Sequence, residues 1–152
     1  MESLEPILKE HQFLKGLAED QIRFIVGCAR NIRYDPNQFL FREGEEASTF
    51  HLIRGGKIAL ENFIPGKGVV QVETIVEGDV LGWSWLYPPH RRSNDARALD
   101  PVRAIAFDGA CLRKKCEEDH DLGYAIMKRL LYQILQRLER VRMQRLDVYK
   151  VG

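Results

Sequence analysis

The sequence has few cysteines, no long apolar run and no basic segment among its first residues. Its three cysteines, Cys28, Cys111 and Cys116, form no C-x-x-C pair. This pattern argues against a metal cluster and a disulfide framework and favours buried apolar thiols. No segment reaches the roughly eighteen consecutive apolar residues of a membrane span, and the first residues lack the basic start of a secretory signal. We therefore expect a cytoplasmic protein with no membrane contact.

An excess of one charge is missing as well. Among the 152 residues, 23 Lys and Arg stand against 22 Asp and Glu, so the net charge is +1. Such a balance gives no global field that would recruit nucleic acid or acidic lipid. The 45% hydrophobic and 30% charged content is that of a folded protein. Since about 150 residues make one domain, we expect a single domain over residues 1–152.

The hydrophobic period changes twice along the chain. Residues 1–31 follow helical spacing and predict two short helices. Residues 32–108 break into short runs separated by Gly, Pro and Asn, which is typical of antiparallel strands. The predicted strands span residues 38–41, 50–54, 57–63, 69–75, 95–99 and 102–107. We expect a mainly β fold with flanking helices, either a sandwich or a barrel.

Residues 109–152 return to helical spacing, with Asp108 as the predicted N-cap. A helix over residues 109–118 is followed by an interruption at 119–121 and a long helix to about residue 149. On that helix, steps of three and four residues form a coiled-coil-like seam of Leu131, Ile134, Leu138 and Val141. The seam packs either on its own barrel or on a second copy. We expect a homodimer, because the helix is too long to lie entirely on a small barrel.

Three motifs occur in order in the strand region, at residues 39–47, 50–58 and 75–82. They contain an E-G-E turn, an apolar strand ending in Gly, and a G-D-x-x-G run. Together they resemble the cyclic nucleotide-binding domain family, above all the effector domain of bacterial regulators of the catabolite activator and FNR type. The resemblance implies a double-stranded β-helix, or jelly-roll barrel, with N-terminal helices and a long C-terminal helix. It also implies a regulatory protein that signals through that helix.

In the family, a loop beginning Gly-Glu leads through a short helical turn to an Arg nine or ten residues after the Glu. Here Gly82 begins the loop, and Arg92 and Ser93 take the places of the phosphate-contacting pair. The resemblance implies an anion cradle at Gly82, Trp83 and Ser84, with the Arg92 guanidinium as a planar fork for phosphate oxygens. The expected ligand is a small anion, a cyclic nucleotide such as cAMP or cGMP or a related compound.

Trp83 departs from the family pattern. The family has a Glu there that accepts a hydrogen bond from the ribose 2′-hydroxyl, whereas an indole N–H can only donate. Trp83, Trp85 and Tyr87 either reshape the pocket for an aromatic ligand or fill it, with Arg92 paired to a carboxylate such as Asp95. In the second interpretation the domain binds no nucleotide and serves as a dimerisation or protein-interaction module.

Other functions find little support. The sequence contains no hydrolase, P-loop or metal-ligand spacing, so we expect neither catalysis nor a metal site. The histidines are isolated from one another: His11, His51, His90 and His120. In the transcription factors that the chain resembles, the long helix leads into a DNA-binding domain, which we do not expect in this chain. The downstream partner is unknown.

Overall fold

Helices flank a region of β-sheet on both sides, as the hydrophobic periods predict. The computed structural model describes residues 4–150; residues 1–3 and 151–152 of the predicted domain lie outside them. The helices are α1 (Glu5–Glu10), α2 (Glu19–Val26), α3 (Gly109–Glu118) and α4 (His120–Lys150), with a 3-10 turn at Gln12–Leu14. The strands are β1 (Ala29–Tyr34), β2 (Phe39–Phe41), β3 (Thr49–Gly55), β4 (Ile58–Ile64), β5 (Gly68–Ile75), β6 (Val80–Leu81), β7 (Asp95–Ala98) and β8 (Val102–Asp108).

The strands form two antiparallel four-stranded sheets, in the orders β1-β8-β3-β6 and β2-β7-β4-β5. Six of the strands correspond to predicted ones, whereas β1 and β6 do not. Strand β1 is rich in polar residues and pairs only with β8, at the edge of its sheet, and β6 has two residues. Because β1 begins at Ala29, the boundary between the N-terminal helices and the barrel lies before residue 31, which corrects the expected division.

The central strands β3 and β8 of the first sheet are buried on both faces, which explains their nearly continuous apolar runs. Side chains alternate along a strand. Phe50 and Leu52 therefore join a cluster built with the helices, which we call the helical cluster. Ile53 joins the cluster between the two sheets. We call this second cluster the barrel interior; it contains Phe41, Ile53, Ile58, Leu60, Ile75, Leu81, Ala96, Ala98, Val102 and Ala104.

Two aspartates begin the C-terminal helices. The Asp108 carboxylate accepts a hydrogen bond of 2.8 Å from the Cys111 amide, which confirms the predicted N-cap of α3. The Asp119 carboxylate accepts one of 3.1 Å from the Leu122 amide at the start of α4. The predicted interruption between the helices is therefore a single capping residue, and α4 follows α3 directly.

Helix α4 presents different faces to the barrel and to solvent. Its buried residues recur at steps of three and four: Leu122, Ile126, Leu130, Gln133 and Arg137. Of the predicted seam, Leu131, Leu138 and Val141 lie 52–56% exposed and Ile134 is half-buried. The barrel therefore does not cover most of this seam, which removes packing on the same chain as its main explanation.

The expectation of free cysteines is wrong for two of the three. Cys28 and Cys111 form a disulfide across 83 residues of sequence. The pairing Ala29–Phe107 between β1 and β8 brings the end of α2 beside the first turn of α3, a proximity that sequence spacing does not contain. Cys116 is free and half-buried, and burial raises the pKa of its thiol to about 11. It therefore stays protonated at neutral pH.

Two absences in residues 4–150 concern membrane crossing and metal binding. None of their helices combines the length and the apolar character that a membrane crossing needs. Within the same range, no three His, Cys, Asp or Glu side chains gather as ligands of a metal ion.

Candidate anion-binding site

Arg92 points into the protein, and its backbone is held by the turn before β3. Its amide donates to the Glu45 carbonyl and its carbonyl accepts from the Gly44 amide, both at 2.9 Å. The side chain is only 4% exposed. Nη2 donates to the Thr49 carbonyl at 2.6 Å and to its hydroxyl at 3.2 Å, whereas Nε and Nη1 have no hydrogen-bond partner among the described residues. Buried donors without partners are costly, and they are the groups that an anion would satisfy.

Gly82 lies directly against this guanidinium. Its φ of +85° is one that side-chain-bearing residues rarely adopt, and a Cβ at this position would overlap Arg92 Nη1. The sequence therefore needs glycine here for two reasons, the turn after β6 and the close approach of Arg92. The predicted association of Gly82 with Arg92 is present in the structure.

The charge of Arg92 is not neutralised by an ion pair within residues 4–150. In that range no carboxylate lies within ion-pair distance of it, and its guanidinium stacks 4.1 Å from the centre of the Phe41 ring. The alternative partner Asp95 instead accepts from Arg42 Nε at 3.3 Å and from the Glu43 amide at 2.7 Å. Burial lowers the pKa of Arg92 to about 10, so it remains a cation at neutral pH.

The loop after Gly82 is a single turn rather than a short helix, closed by a hydrogen bond of 3.1 Å from the Leu86 amide to the Trp83 carbonyl. Trp83 is 41% exposed and lines the cavity beside Arg92. Trp85 is fully buried in the helical cluster, with its ring 5.4 Å from that of Phe50. The interpretation in which both indoles shape the pocket is therefore wrong for Trp85. Its side chain packs among the helices, whereas the Trp83 side chain faces the cavity.

One cavity collects all five predicted ligand residues: Gly82, Trp83, Ser84, Arg92 and Ser93. The loop around it is held by its backbone, since the Ser84 carbonyl accepts from His90 Nδ1 and the Ser93 carbonyl from Asn62 Nδ2, both at 2.9 Å. The cavity volume is about 30 Å³. That is room for water, whereas drug-sized ligands occupy pockets of roughly 300 Å³ or more. A whole nucleotide would need Trp83 or another wall to move.

Sequence reasoning misses one wall of this cavity, Arg137 of α4. Its side chain is 5% exposed and donates to the Val80 carbonyl. Its Nε lies 3.5 Å from Glu73 Oε1 without forming a hydrogen bond, and its guanidinium stacks 5.0 Å from the Trp83 ring. The available signal is periodicity, since Arg137 continues the stripe of residues 122, 126, 130 and 133 that faces the barrel.

Two more polar side chains line the barrel near Arg92. The Tyr34 hydroxyl and His51 Nε2 share a hydrogen bond of 3.1 Å, and His51 Nδ1 has no partner in the part of the chain that the structure describes. Burial, together with the positive charge of Arg92, lowers the pKa of His51 to about 3. His51 is therefore neutral at physiological pH and leaves Arg92 as the cation of this part of the barrel.

The sequence also matches a known protein family. A model of the cyclic nucleotide-binding domain matches residues 31–119, more than half of the chain. The chain belongs to the cyclic nucleotide-binding domain family. The matched range contains the whole barrel from β2 to β8, the loop after Gly82 and Arg92, so the resemblance inferred from the three motifs is confirmed.

This cyclic nucleotide-binding domain is similar in sequence to part of a kinase and in fold to bacterial proteins. Human cGMP-dependent protein kinase 2 is 31% identical over 112 residues, which are 73% of this chain and 14% of the kinase. A cyclic nucleotide-binding domain from Methylobacillus flagellatus KT superposes with a TM-score of 0.82 at 19% identity, covering 99% of this chain and 88% of the other. The Thermus thermophilus catabolite activator protein gives 0.70 at 17% identity, covering 91% and 63%. The predicted jelly-roll fold is confirmed.

Proposed function

We propose that this domain is a non-catalytic regulatory sensor that binds a small anionic ligand, a cyclic nucleotide or a related phosphate ester, against Arg92. The observation that supports it is the buried guanidinium, which has two unpartnered nitrogens and no ion pair among the described residues, beside a glycine that admits close approach. A phosphate would satisfy those donors with charge-assisted hydrogen bonds. Gly82, Trp83, Ser84 and Ser93 would complete the ligand contacts.

The signal would leave the site through α4. This helix reaches the cavity with Arg137 and, on a different face, carries the exposed seam of Leu131, Leu138 and Val141. A ligand that changes the position of Arg137 would change the placement of α4, and therefore of whatever covers the seam. We propose that a second copy of the chain covers it, in the cytoplasm, and that a downstream protein reads the change.

A second candidate function is a domain that binds no nucleotide and serves as a dimerisation or protein-interaction module. The cavity volume of about 30 Å³ favours it, as does Trp83, which cannot accept a hydrogen bond from a ribose hydroxyl. In this case Arg92 would be a structural residue that fastens the loop to Thr49.

Calorimetric titration with nucleotides separates the two functions. We expect cyclic AMP, cyclic GMP or their linear monophosphates to bind, and Arg92→Gln to weaken that binding about 10-fold or more, because a hydrogen bond to a charged group contributes about 1.5–3 kcal/mol. Arg91→Gln is the matched control. The Arg91 side chain follows His90 and precedes Arg92 in the chain, but it is exposed and donates to the Gly44 carbonyl outside the cavity. Absence of heat with every nucleotide would leave the interaction module as the function.

A further inference from the structure

We infer that Arg137 is a second anion-binding residue of this site and that the site prefers a phosphate monoester to a cyclic phosphodiester. This inference rests on the proposed function, because it concerns the same cavity. It adds a contact from α4 to the contacts of the loop, and it assigns the ligand to a chemical class.

The first support is that two guanidinium groups converge on one cavity with donors to spare. Arg92 and Arg137 both line it, and both are at least nine-tenths buried. Three of their buried nitrogens have no hydrogen-bond partner in residues 4–150, namely Nε and Nη1 of Arg92 and Nε of Arg137. Unpartnered cationic donors on two residues that line one cavity are unusual in a folded protein, where nearly all buried polar groups are paired.

The second support is the geometry of the acceptor. A phosphate monoester presents three terminal oxygens and up to two negative charges. A cyclic phosphodiester keeps only two non-bridging oxygens and one charge, because two of its oxygens are esterified. Two planar guanidinium forks therefore find more acceptors on a monoester than on a cyclic diester.

The third support is that Arg137 could turn away from Glu73 without leaving that carboxylate unpaired. Glu73 Oε1 lies 3.5 Å from Arg137 Nε and 3.4 Å from Arg140 Nη2. If Arg137 turned toward a phosphate, Arg140 would still neutralise the Glu73 carboxylate. Because the cavity volume of about 30 Å³ is room for water, a phosphate group would enter it by displacing its walls, and it would need less displacement than a whole nucleotide would.

The test compares ligands that share base and sugar and differ in the phosphate. We would titrate 5′-AMP against 3′,5′-cyclic AMP, and 5′-GMP against 3′,5′-cyclic GMP, into the full chain. We expect the monoester of at least one pair to bind about 10-fold tighter. Arg137→Gln should remove that preference, and Arg137→Lys, which keeps the charge without the fork, should restore part of it. Arg142→Gln is the matched control, because Arg142 lies on the same helix but is exposed, pairs with Glu139 and lies outside the cavity, and it should change affinity less than about 2-fold.

A spectroscopic readout reports the same event without relying on heat. Because Arg137 stacks on Trp83, binding that draws Arg137 toward phosphate should change tryptophan emission, and Trp83→Phe should abolish the change while Trp85 remains. The inference would be overturned, and the proposed sensor kept, if both esters bound equally, if Arg92→Gln weakened their binding and if Arg137→Gln left it unaltered. No binding of any of the four nucleotides would overturn both.

Discussion

Three polar side chains, Tyr34, His51 and Arg92, lie together among the aliphatic residues of the barrel. Arg92 stays cationic, whereas burial keeps the His51 ring uncharged at neutral pH. Protonating His51 would place a second positive charge beside Arg92, which itself lacks a carboxylate partner among the described residues. This histidine therefore couples the stability of the fold to pH.

We expect acid to destabilise the protein through His51. The pKa is lowered to about 3 in the folded chain and is about 6.5 in the unfolded one, so the unfolded state binds one more proton between those values. Stability should fall as pH decreases through this window, by about 1.4 kcal/mol per pH unit at full effect. Burial also lowers the pKa of His11, which acts in the same direction.

Guanidinium unfolding of wild type and His51→Gln at pH 7 and pH 5 measures this contribution. The variant retains a group that can bond Tyr34 but does not titrate, so its loss of stability between the two pH values should be smaller by about 2 kcal/mol. Identical losses in both proteins would refute the assignment.

Residue-level prediction from sequence succeeds where the chemistry is local. Gly82 and Arg92 are ten positions apart, and the resemblance to the family's loop implies that they lie together, as they do in the structure. It fails for Trp85, because the direction of a side chain in a turn depends on backbone angles that composition does not specify. It also misses Arg137, which reaches the cavity only because a distant helix packs over the loop.

At the scale of elements, the disulfide joins the end of α2 to the first turn of α3. Both helices pack on the helical cluster, and the bond closes a loop that contains all eight strands of residues 4–150. Cross-linking residues so far apart in sequence restricts the unfolded chain strongly. In a cytoplasm, where thiols are kept reduced, the same two cysteines would be the buried apolar thiols expected from their number.

We expect Cys111→Ser to lower the free energy of unfolding of the oxidised protein by about 2–4 kcal/mol. The same substitution should matter much less in the presence of a thiol reductant. Cys116→Ser is the control, since Cys116 is outside the disulfide. Denaturant titrations with and without reductant provide the comparison, and equal stability of the Cys111→Ser and Cys116→Ser proteins under oxidising conditions would count against the bond.

Sequence periodicity predicts most elements because their apolar patterns are regular. Strands β3 and β8 and helix α4 are found from short apolar runs and from helical spacing. Strand β1 escapes this reasoning since its polar residues, including Arg30 and Asn31, interrupt any alternation. Its place in the sheet comes from pairing with β8, about 75 residues later in the chain, and pairing over such distances is a property of the whole fold.

At the scale of the molecule, the two faces of α4 bear on the oligomeric state of the domain. One face covers the barrel and closes the cavity with Arg137. The adjoining face leaves a line of aliphatic side chains in water, of which Leu131 and Leu138 are more than half exposed. Contiguous exposed apolar surface is typical of protein interfaces.

We expect the chain to form a homodimer that Leu138→Glu disrupts, because a carboxylate in an apolar seam would be desolvated without a partner. Val69→Glu is the control; Val69 lies on β5 and is 64% exposed, compared with 54% for Leu138. Sedimentation equilibrium should show a dimer for wild type and Val69→Glu and a monomer for Leu138→Glu. A wild-type monomer at high micromolar concentration would contradict the dimer.

Strand β3 is buried on both faces, and this restricts where insertions and deletions can occur in the chain. Phe50 and Leu52 pack against the helices, while His51 and Ile53 face the barrel. Deleting one residue of β3 would therefore turn each following side chain of the strand to the opposite face. Aromatic bulk would then enter the space around Arg92, and an imidazole would meet the helices. Insertions and deletions should therefore accumulate in the turn at residues 65–67 between β4 and β5, where the strands end in solvent, and be purged from β3.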